Sequence, residues 1–257
     1  MKLLIKLGGS LLDDDATRQA MAAQLASAQK VNPQTVVVHG GGKQMTRFLM
    51  ERNVESKFVD GLRVTTAEVL DAVLKVFAGS VNHQLVASLV AAGATAVGIT
   101  GIDACLVEAE QLRPDLGFVG KPVRSNPSLL ETLIGGGFLP VVACVAGDRQ
   151  GQIYNVNADQ MAVSCAIGFN VDRLLFLTDV DGVKDLSGQV IPALSLEQSR
   201  VLIADGVATG GMQAKLNAAG EALLGGAGEV VIAPGAAPNV VARLLAGEAI
   251  GTRFVRS

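Results

Sequence analysis

Two apolar runs of β-type residues, each ending in consecutive glycines, constrain the fold of this chain more than any other feature. The first reads Lys2-Leu-Leu-Ile-Lys-Leu-Gly-Gly-Ser10 and the second reads Thr35-Val-Val-Val-His-Gly-Gly-Gly-Lys43. Short apolar runs bounded by glycine are typical of buried strands. Successive glycines let backbone N–H groups converge, and a helix that follows them makes an anion cradle. The same glycines could instead form the strand-to-helix turns of an ordinary α/β protein.

Apolar runs alternate with amphipathic segments of helix length along the whole chain, which predicts a mainly parallel sheet with helices on both faces. The 257 residues are 49% hydrophobic but only 4% aromatic, so small aliphatic side chains must form the core. The predicted strands are 2–7, 35–39, 95–99, 139–144, 174–178 and 229–233. The predicted helices are 14–29, 43–52, 66–78, 80–92, 127–136, 158–168, 195–204, 211–224 and 237–246. Residues 103–121 and 145–154 are turn-rich and could form hairpins on the rim of the sheet, and 251–256 could add a last strand.

Composition argues against several classes of protein. The net charge is −3 and no basic stripe is present, so nucleic acid is not an expected partner. Uninterrupted apolar stretches do not reach the length of a membrane span, and no membrane partner is expected. Three cysteines without a CxxC pair favour the reducing cytoplasm, and only two histidines argue against a His-rich metal site. The patterns GxxxxGK[ST] and strand-GxGxxG are missing, so the common P-loop and dinucleotide interpretations fail.

A polar cluster follows residue 151. Asn155, Asn157 and Asp159 alternate, so in an extended segment they point the same way. They could bind a small polar ligand and orient cations. The stretch by itself favours the simpler interpretation, an Asn/Asp-rich turn in which Asp159 caps a helix.

Three further motifs place charge next to a turn or a helix start. Lys215 follows Gly210 and Gly211, a position from which a lysine can meet a phosphate. Thr178–Lys184 contains two aspartates after a predicted strand, where ligands gather in parallel sheets, although a plain Asp-Gly turn would look the same. Arg63 precedes a helix and offers a planar fork for a carboxylate, although most such arginines lie on the surface.

Taken together, these motifs closely resemble the amino acid kinase family, and within it the branch that acts on N-acetyl-L-glutamate. The matching elements are KLGGS at 6–10, HGGGK at 39–43, GLRVT at 61–65, GSVN at 79–82, NVNADQ at 155–160, TDVDGV at 178–183 and TGGMQAK at 209–215. They occur in family order and span nearly the whole chain. The KLGG element identifies only the broad superfamily, whereas HGGG with GLRVT and NVNAD narrows it to this branch.

The resemblance implies a three-layer αβα sandwich with a central, mainly parallel sheet, formed by one domain over 1–257. An N-lobe of about 1–170 would bind the acyl amino acid and dimerise, and a C-lobe of about 171–257 would bind ATP. The reaction would move the γ-phosphoryl group of ATP to the side-chain carboxylate of N-acetyl-L-glutamate, the second step of arginine biosynthesis. Mg²⁺ would bridge the ATP phosphates, and no side chain is assigned as a metal ligand.

The resemblance also implies roles for individual residues. Lys6 and Lys215 would approach the transferring group from the two lobes, and Asp159 would hold both lysines. The N–H groups of Gly8, Gly9 and Gly41 would donate to phosphate oxygens. The acceptor would be held by Gly40, Gly41, Arg63 and Asn155, the last two on its α-carboxylate. The nucleotide would contact Asp179, Val180, Asp181, Gly182, Val183, Lys184, Val207, Ala208 and Thr209.

Two departures from the family pattern and several alternatives accompany this hypothesis. Ala104 stands where a glycine is common, which puts Asp103 in doubt as a site residue, and the last motif reads MQAK rather than MIPK. Few residues precede Lys6, which leads us to expect a homodimer without arginine feedback. The alternatives are a kinase of N-succinylglutamate or of carrier-bound aminoadipate, a non-catalytic amino-acid or nucleotide sensor, and a Rossmann oxidoreductase weakened by the missing GxGxxG.

Overall fold

An eight-stranded sheet forms the middle layer of the computed structural model, which describes residues 1–255. The strands of the molecule are β1 (Leu3–Leu7), β2 (Thr35–His39), β3 (Phe58–Val59), β4 (Leu62–Arg63), β5 (Ala96–Thr100), β6 (Val107–Gln111), β7 (Val119–Ser125), β8 (Leu139–Ala143), β9 (Val145–Gly147), β10 (Ile153–Val156), β11 (Arg173–Thr178), β12 (Ala193–Ser195), β13 (Glu229–Pro234) and β14 (Thr252–Val255). The large sheet has the order β12-β14-β13-β11-β1-β2-β8-β5, and its neighbours are parallel except β13 with β14. Every residue of β1 and β2 is buried, as expected of central strands covered on both faces.

Helices cover this sheet in two groups. They are α1 (Asp15–Val31), α2 (Gly42–Met50), α3 (Ala67–Val73), α4 (Asn82–Ala91), α5 (Ser128–Gly135), α6 (Ala158–Phe169), α7 (Leu196–Ala204), α8 (Gly210–Leu224) and α9 (Val240–Leu245). Helix α1 packs against α4 and α9, whereas α6 packs against α8 and the strands β1 and β2. The predicted α/β sandwich with a mainly parallel sheet is therefore confirmed.

The segment between α3 and α4 differs from the prediction. A π-helical turn over Leu74–Val81 joins the two helices, so 67–91 is one continuous helical run rather than two helices separated near residue 79. By length and composition this run would be long and apolar enough to cross a membrane. However, Val73, Phe77 and Leu85 of the run are buried in the core, which is typical of the core helix of a globular protein.

The two turn-rich segments do not lie on the rim of the large sheet. Strands β6, β7, β9 and β10 pair with one another in a small closed sheet of their own, so this expectation was wrong. The last strand was predicted at 251–256, and β14 covers 252–255 of it, whereas Arg256 and Ser257 lie outside the described residues. Strand β1 pairs with β2 on one side and β11 on the other, so one continuous sheet crosses the lobe boundary predicted near residue 170.

Candidate active site

A cleft of about 650 Å³ opens at the edge of the sheet where three parallel strands end. Leu7 of β1 lies beside His39 of β2 and beside Leu177 of β11, so the segments after these strands meet there. Ligands of open α/β sheets bind at this edge. The cleft is lined by Lys6, Gly8, Gly9, Ser10, Asp13, Gly42, Lys43, Thr46, Arg47, Phe58, Arg63, Thr178, Asp179 and Lys215. The first glycine cluster thus lies next to the second, as the cradle interpretation requires.

Buried Lys6 and Asp159 and half-buried Lys215 form a charged group at the base of this cleft. The Lys6 Nζ atom lies 2.7 Å from Asp159 Oδ1, and Lys215 Nζ lies 3.4 Å from Asp159 Oδ2. The side chains of Lys6 and Asp159 are each 8% exposed, and that of Lys215 is 19% exposed. One carboxylate therefore holds two ammonium groups, which leaves the group with a net charge of +1 facing the cleft.

The charge of Asp159 is maintained despite its burial. Desolvation by itself raises the pKa of Asp159, but the nearby charges of Lys6 and Lys215 outweigh it and keep the pKa below its usual range. Asn157 positions the carboxylate by capping α6, because its Oδ1 accepts from the N–H groups of Asp159 and Gln160 at 2.9 and 3.3 Å. Asp159 is therefore not the helix cap, and the simpler interpretation of this stretch was wrong.

The carbonyl groups of the second glycine cluster all accept hydrogen bonds from within the protein. Gly40 O accepts from His39 Nδ1 at 2.7 Å, and Gly41 O accepts from Met45 N at 2.8 Å. Gly42 O accepts from Thr46 Oγ1 at 2.9 Å. Among the described residues, the N–H group of Gly41 donates no hydrogen bond. A free N–H at the start of α2 next to the +1 cleft suits an anion.

A smaller pocket of about 170 Å³ adjoins the cleft and shares Gly42, Phe58 and Arg63 with it. The pocket is lined by Gly40, Gly41, Gly42, Phe58, Gly61, Leu62, Arg63, Phe77, Val119, Cys144, Asn155, Val156, Asn157 and Ala158. All four residues that the sequence assigned to the acceptor lie here. The pocket combines an apolar wall with few polar groups, as small-molecule sites do.

Arg63 supplies the positive charge of this smaller pocket. Its guanidinium donates to Thr46 Oγ1 at 2.8 Å, to Gly42 O at 3.3 Å and to Ser56 Oγ, and it lies over the Phe58 ring. Residue Arg63 is 9% exposed, and within 1–255 no carboxylate forms an ion pair with it. Burial lowers the pKa of Arg63. A buried guanidinium without a counter-ion is stabilised by a carboxylate ligand.

Asn155 is held in the same pocket by a short chain of hydrogen bonds. Its Nδ2 donates to Thr65 Oγ1 at 3.0 Å, and Thr65 Oγ1 donates to Arg63 O at 2.9 Å. These hydrogen bonds fix Asn155 relative to the backbone of Arg63. The two side chains predicted to bind one carboxylate are thus linked through Thr65.

The residues predicted for the nucleotide divide into two sets. Gly8, Gly9 and Asp179 line the cleft, whereas those from Val180 to Lys184 and from Val207 to Thr209 do not. Val183 and Ala208 are buried, and the Val183 N–H donates to Thr252 Oγ1 at 2.8 Å. The Asp103 carboxylate accepts from Thr100 N at 2.6 Å and lines neither pocket, in keeping with the doubt about its role.

Several site residues were missed by the sequence analysis. Lys43, Asp13 and Arg47 line the cleft, and Arg47 forms an ion pair with Asp13 at 2.7 Å. Only Lys43 had a signal, since it ends the second glycine motif. Cys144 lines the small pocket, where burial raises the pKa of its thiol to about 12, so it is no thiolate nucleophile. No group of three or more His, Cys, Asp or Glu side chains suited to a metal occurs within 1–255.

Comparison with known proteins gives the family. The model of the amino acid kinase family matches residues 1–234. An acetylglutamate kinase of Solibacter usitatus is 63% identical over 255 residues, covering 99% of each chain, and one of Acidobacterium capsulatum is 43% identical over 94% of each. The crystal structure of smu.665 from Streptococcus mutans superimposes with a TM-score of 0.87 at 26% identity, covering 99% of this chain and 98% of that one. Motif order, the charged cleft and these likenesses agree: the chain belongs to the amino acid kinase family.

Proposed function

We propose that this protein is an ATP-dependent kinase that phosphorylates the side-chain carboxylate of N-acetyl-L-glutamate, as its relatives named acetylglutamate kinase do, and that it acts in arginine biosynthesis. The observation that carries the proposal is the Lys6–Asp159–Lys215 group beside a small pocket in which Arg63 has no counter-ion among residues 1–255. The large cleft suits the phosphates of ATP, and the small pocket suits the acceptor.

The chemistry needs charge neutralisation rather than a base. The acceptor carboxylate is ionised at neutral pH, so no proton has to be removed before it attacks the γ-phosphorus. Two anions must meet, however, and negative charge spreads over the phosphoryl oxygens in the transition state. Lys6 approaches these oxygens from β1 and Lys215 approaches them from α8, while Asp159 fixes both ammonium groups. The N–H groups of Gly9 and Gly41 donate to the same oxygens. The Gly8 N–H group, which the sequence also assigned to the phosphate, instead donates to Leu177 O at 2.8 Å, so it is not available for this role.

Acceptor recognition rests on the small pocket. Arg63 and Asn155 bind the α-carboxylate, and the backbone at Gly40 and Gly41 contacts the rest of the molecule. A carboxylate that enters the pocket provides the counter-ion that Arg63 lacks among the described residues.

Nucleotide binding extends from the cleft along the C-lobe, with Asp179 next to the phosphates and Val180–Lys184 and Val207–Thr209 towards the nucleoside. Mg²⁺ bound with ATP would neutralise part of the phosphate charge. Among the described residues that line the cleft, Asp13 and Asp179 are the carboxylates, and Asp13 is paired with Arg47, so Asp179 would be the side chain available to the ion or to its bound water.

We further propose a homodimer in the cytoplasm. The unpaired state of Cys105, Cys144 and Cys165 supports the reducing compartment.

The deciding experiment is Mg-ATP-dependent ADP release with N-acetylglutamate, N-succinylglutamate, N-acetylaminoadipate and free glutamate. We expect the highest kcat/KM with N-acetylglutamate. Turnover of another acceptor in its place would establish a related kinase, and no turnover of any would leave the sensor interpretation.

A matched variant tests the acceptor site. Arg63→Lys retains the charge but loses the planar fork, so we expect KM for N-acetylglutamate to rise about 10-fold or more while KM for ATP stays unchanged. Arg113, which lies on the surface with Asp60 and Asp115, provides the control substitution Arg113→Lys. Equal effects of the two substitutions would contradict the assignment.

A further inference from the structure

His39 and Asn82 form a buried neutral pair that the phosphoryl-transfer mechanism does not use. His39 is completely buried and Asn82 is 2% exposed. His39 Nδ1 lies 2.7 Å from Gly40 O, and His39 Nε2 lies 2.9 Å from Asn82 Nδ2. Asn82 Nδ2 also donates to Val141 O at 3.0 Å. The two residues belong to separate motifs of the sequence, HGGGK and GSVN, which the tertiary structure brings together.

The partners fix the protonation state of the imidazole. A carbonyl oxygen only accepts, so Nδ1 must carry the proton that it donates to Gly40 O. Because Asn82 Nδ2 is held by the Val141 carbonyl and only donates, Nε2 must be an unprotonated acceptor. Burial agrees with this assignment, since it lowers the pKa of His39 to about 4 against the smaller opposing effect of the bond to Gly40.

The hydrogen bond from His39 to Gly40 O also fixes the direction of the Gly41 N–H group. The Gly40 carbonyl and the Gly41 N–H belong to one planar trans peptide, so fixing the direction of the first fixes that of the second. The Gly41 N–H has no partner within residues 1–255, and Gly41 lines the acceptor pocket. Glycine backbone is otherwise free to rotate, and an unsupported peptide here would lose the direction of its donor.

We propose that His39 and Asn82 are positioning residues that direct the Gly41 N–H group at the transferring phosphoryl group. The proposal rests on the proposed kinase function and adds two residues that touch neither substrate. His39 orients the donor, and Asn82 orients His39 by holding it in one tautomer. The space for Asn82 comes from Gly98 on the edge strand β5, where a Cβ atom would overlap Asn82 Oδ1.

The wild-type protein gives the first test. Nitrogen-15 NMR of the imidazoles is simple because the chain has only two histidines, His39 and His83. We expect His39 as the Nδ1–H tautomer at neutral pH. Observation of the Nε2–H tautomer or of an imidazolium would overturn the proposal, whether or not the protein proves to be a kinase.

A pair of substitutions supplies the kinetic test. The Nδ2 of His39→Asn can take the place of the Nδ1 donor, whereas His39→Gln places its polar group near Nε2. We expect His39→Gln to lower kcat about 10- to 100-fold with little change in KM, and His39→Asn to recover most of that loss. His83→Gln is the control, because His83 is exposed and bonds to Gly79 O, and we expect kcat within about twofold of wild type.

A merely structural role would give a different result. It would lower kcat in both His39 variants in proportion to their loss of thermal stability, and that outcome would overturn the proposal. Should neither variant fold, Gly98→Ala replaces them, because its Cβ atom displaces Asn82 while His39 itself is unchanged. We expect Gly98→Ala to shift the NMR resonance of the Gly41 amide and to lower kcat. An unchanged amide resonance with an unchanged kcat would contradict the proposal, and inactivity of the wild type would instead refute the kinase function.

Discussion

The two glycine clusters end neighbouring strands of one sheet, yet the protein supports them in different ways. The cluster at the end of β1 stands next to three charged groups, of which Lys6 and Asp159 are buried and Lys215 is half-buried. In the cluster at the end of β2, the peptide between Gly40 and Gly41 is supported by the neutral groups His39 and Asn82. A site that must attract two anions needs cations with a shared counter-ion. A site that only directs a peptide dipole avoids the cost of burying another charge.

The largest expected effect comes from removing one of the two lysines beside the first glycine cluster. Lys6→Ala and Lys215→Ala should each lower turnover by about 10²–10³, equivalent to about 2.7–4 kcal/mol of transition-state stabilisation, without unfolding the protein. Steady-state kinetics with circular dichroism as the folding check measures this. Lys75→Ala is the control, because Lys75 is 59% exposed and pairs with Asp71 on the surface. Near-normal activity of both lysine variants would show that these lysines do not stabilise the transition state.

The next effect concerns the shared counter-ion. Asp159→Asn retains the size of the side chain but releases both lysines, so we expect kcat to fall by about 10- to 100-fold. The loss should be non-additive with Lys6→Ala or Lys215→Ala, because each pair acts through the same contact. A double-mutant cycle measures the coupling. Strict additivity would show that Asp159 does not hold the lysines.

In the second glycine cluster, an added side chain would clash at Gly41 but not at Gly42. A Cβ at Gly41 would lie 2.9 Å from Phe77 Cδ1, whereas a Cβ at Gly42 meets nothing within 4 Å. We expect Gly41→Ala to destabilise the protein by about 1–3 kcal/mol and to lower kcat, and Gly42→Ala to be milder. Denaturant unfolding and kinetics compare the two. Partial recovery in Gly41→Ala with Phe77→Leu would identify the ring as the cause.

The last prediction concerns protonation of His39, which has no effect on stability at neutral pH and appears only as the pH is lowered. The folded protein holds the pKa of His39 at about 4, below its ordinary value of 6.5, so between these values the unfolded chain binds the extra proton. Stability should therefore fall as the pH is lowered from 6.5 to 4, by on the order of 3 kcal/mol.

The buried carboxylate and the buried imidazole titrate in different pH ranges. The contribution of Asp159 is present above its ordinary pKa of 3.8 and is lost only as the pH falls through its lower folded pKa. The window above pH 4 thus belongs to His39. Urea unfolding of wild type and His39→Asn over this range measures the free energy of unfolding at each pH. We expect it to fall with pH more steeply in the wild type, and the same pH dependence in both proteins would contradict the assignment.

Several elements were predictable because their signals are local. All six predicted strands of the large sheet are present within one or two residues, since short β-branched apolar runs between turn residues are typical of buried strands. The helix over 66–92 was divided wrongly because Gly79 resembles a break, whereas packing of Phe77 and Val81 into the core carries the chain through a π-helical turn. Asn157 was missed as the cap of α6 because Asn and Asp give the same signal there.

By itself, the sequence determined where strands end in bare backbone, which residues carry charge next to them, and the family to which the motifs belong. Only the tertiary structure decided which groups share a partner. Lys6 and Lys215 meet on one carboxylate, Arg63 has no counter-ion within the described residues, and His39 bonds to Asn82. The physical reason is that glycines and apolar runs determine the conformation of their own segment of the chain. Ion pairs and hydrogen bonds instead act through space, and the packing of helices on the sheet, such as that of α6 on α8, β1 and β2, sets those distances.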